Sequence, residues 1–234
     1  MKIIMNESQK KNTIIIFEAH SDDAVIGMGG LILKYNKDYE FILVTMTKGE
    51  TAYTKLEEKS KIAEIRKAES LNADKILGIN KHIFLENPCQ DLQNNLKNYH
   101  EIIKIIRKYK PIRIYTHKSP EKHRDHRITH DLVTEAWWKA SENVLIDYGT
   151  PYRCPELYYF EVTDLFEFPN IIIDISDVFE LKIKALESFG SQFEVLKGLQ
   201  DYVKGLAMVR GYLGGVKYGE AFAISNFIPK IINF

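Results

Sequence analysis

With 234 residues, 45% of them apolar and 27% charged, the chain has ordinary globular composition and is long enough to bury its own core. Its 32 Lys and Arg balance 32 Asp and Glu, so no overall basic field exists to draw nucleic acid or anionic lipid. Two cysteines, Cys89 and Cys154, without CxxC spacing argue against a disulfide framework, and no apolar run approaches the ~18–20 residues of a membrane span.

The first residues, MKIIMNESQKKNT, lack the apolar core of a secretory leader, so a cytoplasmic protein is expected. Thr13–Phe17 is a short continuous apolar run and predicts a strand buried on both faces. A loop over Glu18–Asp23 follows, then a helix over Ala24–Tyr35 that contains Gly27, Gly29 and Gly30. Phe41–Met46 predicts a second strand and Lys48–Lys59 a polar loop. Ser60–Leu77 predicts an amphipathic helix with Ile62, Ile65, Leu71 and Ile76 on its apolar side and Gly78 as C-cap. His82–Leu85 reads as a third strand, Leu96–Tyr109 as a helix and Ile112–Thr116 as a fourth strand. The polar stretch His117–His126 reads as a loop and Arg127–Ala140 as a helix. Strands over Leu157–Phe160 and Ile171–Asp174 come next, then helices over Val178–Phe189 and Phe193–Met208, and an extended Ala221–Ile228.

This alternation predicts an α/β fold: a Rossmann-like three-layer αβα sandwich with a mostly parallel sheet, as one domain over 1–234. In a strand order 3-2-1-4 the first and fourth strands lie side by side. Their C-terminal ends then border the switch-point crevice where such sheets bind ligands.

The two most reactive segments fall at those ends. Ala19-His20-Ser21-Asp22-Asp23 joins the first strand to its helix, and His123-Arg124-Asp125-His126 follows the fourth strand. A catalytic zinc site needs three N or O ligands and one open position for water. His20, Asp23 and His126 can supply the three, which leaves Asp22 and His123 for proton transfer. Each segment also has a plainer account. An Asp pair at a helix N-terminus satisfies free N–H groups and meets the positive dipole end without any metal. A single HxxH is a common surface pattern. Their joint occurrence at neighbouring strand ends is the harder coincidence to dismiss. The three glycines do not follow G-x-G-x-x-G, and the acidic pair before them would repel phosphate, so close helix–sheet packing is the better reading.

Taken together these segments resemble the PIG-L (LmbE-like) deacetylases. TIIIFEAHSDDAVIGMGG is similar to that family's AHPDDE motif, and AVIGMGG is most similar to its diacetylchitobiose and N-acetylglucosamine deacetylases. Arg66, Glu69, Ala73 and Leu77-Gly78 match an R-x-x-E…A…LG helix. Pro111 and Ile114-Tyr115-Thr116-His117 match a P-D-V-V-x-T-H strand, and His123–Arg127 matches H-P-D-H-R. Arg210, Gly214, Gly219 and Glu220-Ala221-Phe222 match a C-terminal R…G…AEAF segment. The resemblance spans residues 13 to about 222. Ser21, Ala24 and Arg124 depart from the family's Pro, Glu and Pro. The family's acidic residue after the third strand has only Asp91 as a nearby candidate.

The resemblance implies a Zn2+-dependent hydrolase, or one using another divalent metal, that removes an N-acetyl group from a small N-acetylglucosamine-type substrate. It implies His20, Asp23 and His126 as metal ligands, Asp22 as general base and His123 as oxyanion stabiliser or acid. Asp125 would orient an imidazole of the second motif. Arg66 and His117 are expected to contact substrate, although Arg66–Glu69 could be a solvated i,i+3 pair and His117 a structural histidine. His130 suits packing, and His82 and His100 carry no signal. No nucleic acid or membrane partner is expected, and a homo-oligomer is. Two rivals remain: a catalytically silent sugar-binding member of the fold, and an amidase acting on a thiol-conjugated glycoside.

Overall fold

A computed structural model describes residues 11–229. Most of the opening segment read above for a leader lies outside them. In chain order the elements are β1 (Asn12–Glu18), α1 (Asp23–Tyr35), β2 (Tyr39–Thr47), α2 (Ile62–Leu77), β3 (Lys81–Asn87), α3 (Leu96–Tyr109), β4 (Arg113–His117) and α4 (Arg124–Lys139). They continue with β5 (Glu156–Phe160), β6 (Ile171–Asp174), α5 (Phe179–Leu186), α6 (Gly190–Val195), α7 (Leu199–Gly214) and β7 (Gly219–Ile224).

The strands form one seven-stranded sheet in the order β3-β2-β1-β4-β5-β7-β6. β1 pairs with β4 in parallel, Ile14 opposite Arg113 and Ile16 opposite Tyr115, so the expected 3-2-1-4 order and crevice are present. β7 runs antiparallel to both β5 and β6. The side-chain period of two sends β1 into two cores at once. Ile14 and Ile16 pack with α1, α2, α5 and α7, while Ile15 and Phe17 pack with α3 and α4. That is the three-layer sandwich, and it is why TIIIF is apolar without alternation.

Three boundaries differ from expectation for physical reasons. α4 begins at Arg124, because His123 is its N-cap and accepts from the Asp125 N–H through Nδ1 at 3.2 Å. The polar stretch read as loop therefore ends in the first turn of a helix. The helix expected over Phe193–Met208 is two helices, separated at Leu196–Gly198, where Gly198 takes φ +79°. The extended C-terminal segment stops at Ile224. The Gly78 C-cap is present with φ +77°, its N–H donating to Asp74 O.

α1 carries a break at Met28, whose φ of −149° interrupts the helix. The freed groups are met by a buried ion pair. Glu220 accepts from the N–H groups of Gly30 and Leu31 at 2.7 and 2.8 Å. Lys182 Nζ donates to Ile26 O and to Glu220 Oε1, both at 2.7 Å. The glycines around the break are packing glycines. A Cβ at Gly27 would lie 2.6 Å from the Phe160 ring, and one at Gly30 would lie 2.5 Å from Ile175.

Candidate metal centre

β1 and β4 deliver the two motifs to one crevice. The donor atoms of His20, Asp23 and His126 converge there. His20 Nδ1 lies 3.2 Å from His126 Nε2 and 3.3 Å from Asp23 Oδ2, and His126 Nε2 lies 3.2 Å from Asp23 Oδ1. Ligands at zinc distances around a tetrahedral ion stand roughly 3.3–3.4 Å apart, close to these separations, with the Asp23 carboxylate turning one oxygen to each ring. The three residues are buried, at 8%, 3% and 2% exposure.

The electrostatics fit as well. Burial pushes the Asp23 carboxyl up, but the rings of His126, His20 and His117 outweigh it and hold it well below the usual carboxylate range. Burial disfavours charge on His20, yet Asp23 and Asp125 outweigh it and hold that ring well above the usual imidazole range. For His126 burial is likewise outweighed by Asp23, and its pKa is lifted to about 9. An ionised carboxylate thus holds protons on the two rings beside it, and a divalent cation bound here would take the place of those protons. His126 Nδ1, turned away from the centre, has no hydrogen-bond partner among the described residues, and Glu121 Oε2 lies 3.8 Å from it.

The remaining predicted residues surround this centre. Asp125 is completely buried, and its Oδ2 accepts from His20 Nε2 at 3.1 Å. The imidazole it holds is therefore in the first motif, not the second as expected. Its place in the first turn of α4 aims it across the crevice at His20. A carboxylate on one ring nitrogen fixes the proton there and leaves the other nitrogen free to ligate. Asp22 follows Ser21 at the α1 N-terminus, and its Oδ1 accepts from Arg66 Nη2 at 2.7 Å. Arg66 is only 3% exposed and lies under Gly49, where a Cβ would stand 2.6 Å from Nη1. The helix residue read from sequence as a sugar contact thus has its guanidinium against the Asp pair. His123 is partly exposed at the mouth, its ring edge-on to His20 at 4.6 Å and stacked on His126 at 4.6 Å.

His117 sits behind the centre at 1% exposure. Burial and the His126 ring push it down to about 4, so it is neutral, and Nε2 accepts from the Ala19 N–H at 2.9 Å. With that lone pair engaged, it holds the backbone of the first motif. His130 in turn approaches His117 O at 2.9 Å through Nδ1, the packing role expected.

Sequence reasoning missed three neighbours. Glu121 is buried and accepts from the N–H groups of His123 and Asp164, bracing the loop into α4. Glu18 is buried with Oε2 accepting from the Ala24 N–H at 2.9 Å, a carboxyl beside the position where the family has one. Cys89 lies beside His20 and Asp125. A polar residue near a motif was a usable signal for Glu121. None existed for Cys89, because the loop after β3 reaches the site only through tertiary folding. Asp91, the acidic candidate of that loop, is exposed.

Fold and donor set together define an α/β protein with a histidine–aspartate centre at the switch point of its sheet. Residues 15–137, just over half of the chain, match the model of the family described as "PIG-L: GlcNAc-PI de-N-acetylase", and the chain belongs to that family. Diacetylchitobiose deacetylase from Thermococcus kodakarensis is 29% identical, over 93% of this chain and 84% of that protein. The N,N'-diacetylchitobiose deacetylase of Pyrococcus horikoshii, solved with its inhibitor MPG, superposes with a TM-score of 0.85 at 29% identity, covering 96% and 88% of the two chains. GalB, a 4-carboxy-2-hydroxymuconate hydratase from Pseudomonas putida, shares the fold with a TM-score of 0.82 at 22% identity, covering 95% of this chain and 99% of its own. The chain is accordingly a deacetylase-class enzyme, an amide hydrolase acting on carbon–nitrogen bonds other than peptide bonds. No helix among the described residues is long and apolar enough to cross a membrane.

Proposed function

We propose that this enzyme is a zinc-dependent N-deacetylase of a small N-acetylglucosamine-type amino sugar. The observation that carries the reading is the convergence of His20 Nδ1, His126 Nε2 and the Asp23 carboxylate at 3.2–3.3 Å, with Asp22 next in the chain. The diacetylchitobiose deacetylases that resemble it supply the substrate class.

His20, Asp23 and His126 would hold the cation, which supplies Lewis-acid polarisation of the acetamide carbonyl and makes water acidic enough to lose a proton near neutral pH. Asp22, held by Arg66, accepts the proton of the attacking water. His123, part-exposed at the mouth, stabilises the oxyanion or donates to the leaving amine, its free nitrogen being Nε2 because Nδ1 caps α4. Asp125 keeps the proton of His20 on Nε2. His117 keeps the first motif in place through Ala19. Acetate and the free amine leave. An acetate-release screen over N-acetylglucosamine, N,N'-diacetylchitobiose and a thiol-linked glycoside, with metal measured in the same preparation, tests the reading. Bound zinc with no acetate released from any of them would overturn it in favour of a silent binding protein.

A further inference from the structure

Cys89 belongs to no step above, yet it is buried against the centre. Its thiol, one nitrogen of His20 and one oxygen of Asp125 all lie within 4.8 Å of one another, and all three residues are buried. His20 Nε2 and Asp125 Oδ2 are 3.1 Å apart, on the side of the ring away from Asp23 and His126. The Asp125 carboxylate is fully buried, and its Oδ1 has no partner among the described residues. Thr51 Oγ1 donates to Cys89 Sγ at 3.2 Å, and the Gln90 N–H donates to Asp125 Oδ2 at 2.7 Å. The loop after β3 thus adds a soft sulfur donor to an imidazole nitrogen from the β1–α1 connection and a carboxylate from the first turn of α4.

We propose that Cys89, His20 and Asp125 form a second cation site, selective for a thiophilic divalent ion, whose occupation switches off the catalytic donor set. The ligand types set the selectivity: a thiolate favours cadmium or zinc over magnesium or calcium. The exclusion follows from the single lone pair of a neutral imidazole. With Asp125 accepting from Nε2–H, the lone pair sits on Nδ1 and faces Asp23 and His126. A cation on the Cys89 side needs the lone pair on Nε2, so the ring proton moves to Nδ1. The thiol proton is released to solvent, one per cation bound. A protonated Nδ1 is no longer a ligand, and His20 serves one site at a time. The exclusion rests on the reading of His20 as a catalytic-ion ligand through Nδ1; the thiol site itself does not.

Cadmium titration of zinc-loaded enzyme tests both halves. Thiolate–cadmium coordination gives an ultraviolet charge-transfer band, which a His/Asp/His site without sulfur cannot give. We expect about one such band per chain, rising together with zinc released to a chromogenic chelator. Cys89→Ser should reduce both signals by roughly tenfold or more. Cys154→Ser should leave the band intact, because that thiol is 1% exposed, donates to the Glu156 carbonyl and is packed in the core with Trp137 of α4. If wild-type enzyme gives no band, the site does not exist, whatever the variants do. If the band forms while zinc stays bound, the exclusion is wrong. If the purified enzyme takes up no zinc beforehand, the catalytic reading fails by itself, and cadmium addition to the metal-free protein still decides the thiol site.

Discussion

Arg66 Nη2 donates to Asp22 Oδ1 across 2.7 Å, and neither side chain has more than 6% of its surface exposed. A guanidinium this close to the proposed base orients the carboxylate and keeps it from turning into the donor set of Asp23. Arg66→Met should therefore lower kcat, by about 10²-fold if the base is displaced by an ångström, with zinc content unchanged. Arg66 acting only as a sugar contact would raise KM at constant kcat, so the kcat–KM split decides between the two roles.

The Asp pair should separate by readout. Asp22→Asn is expected to retain zinc and lose ~10²–10⁴-fold in kcat, the usual cost of a missing general base. Asp23→Asn removes a donor that stands 3.2 Å from His126 Nε2, so it should lose zinc, with some activity returning on zinc addition. An Asp22→Asn enzyme without metal, or one with near-normal turnover, would reverse the assignment.

Asp125→Ala should act through His20. Without the acceptor at 3.1 Å from Nε2, the ring is free to place its proton on either nitrogen. The expected loss in zinc affinity is about 10–100-fold, measured by competition with a chelator, and activity should be largely restored at saturating zinc.

Lys182→Met tests the plug in α1. It leaves the Glu220 carboxylate buried without its cation and Ile26 O without a donor. Breaking one side of a buried pair costs ~3–5 kcal/mol, which urea unfolding should report as a lowered midpoint with little change in slope. A variant within ~0.5 kcal/mol of wild type would show that the pair is not what holds the break.

How far the sequence could be read depended on whether a feature was local. TIIIF declared a doubly buried strand because four of its residues face two different cores. The parallel order and the crevice followed from alternation, and His20, Asp23 and His126 from their spacing around it. The break at Met28 was hidden because its remedy, Glu220 and Lys182, is remote in the chain. The start of α4 was hidden for the opposite reason: a histidine cap is a rarer signal than Ser, Thr, Asp or Asn, so HRDH looked like loop. The partner of Asp125 depended on the angle at which α4 meets β1, and no pattern of residues encodes that angle.

The plug in α1 also bears on the order in which a nascent chain can complete its site. His20, Asp23 and His126 have all been synthesised once α4 begins. The helix that presents Asp22 and Asp23 is still broken at Met28, and its free amides and carbonyl await a lysine from α5 and a glutamate from β7. A ribosome-bound intermediate ending between α4 and α5 would hold His20, Asp23 and His126 while lacking the groups that finish their scaffold.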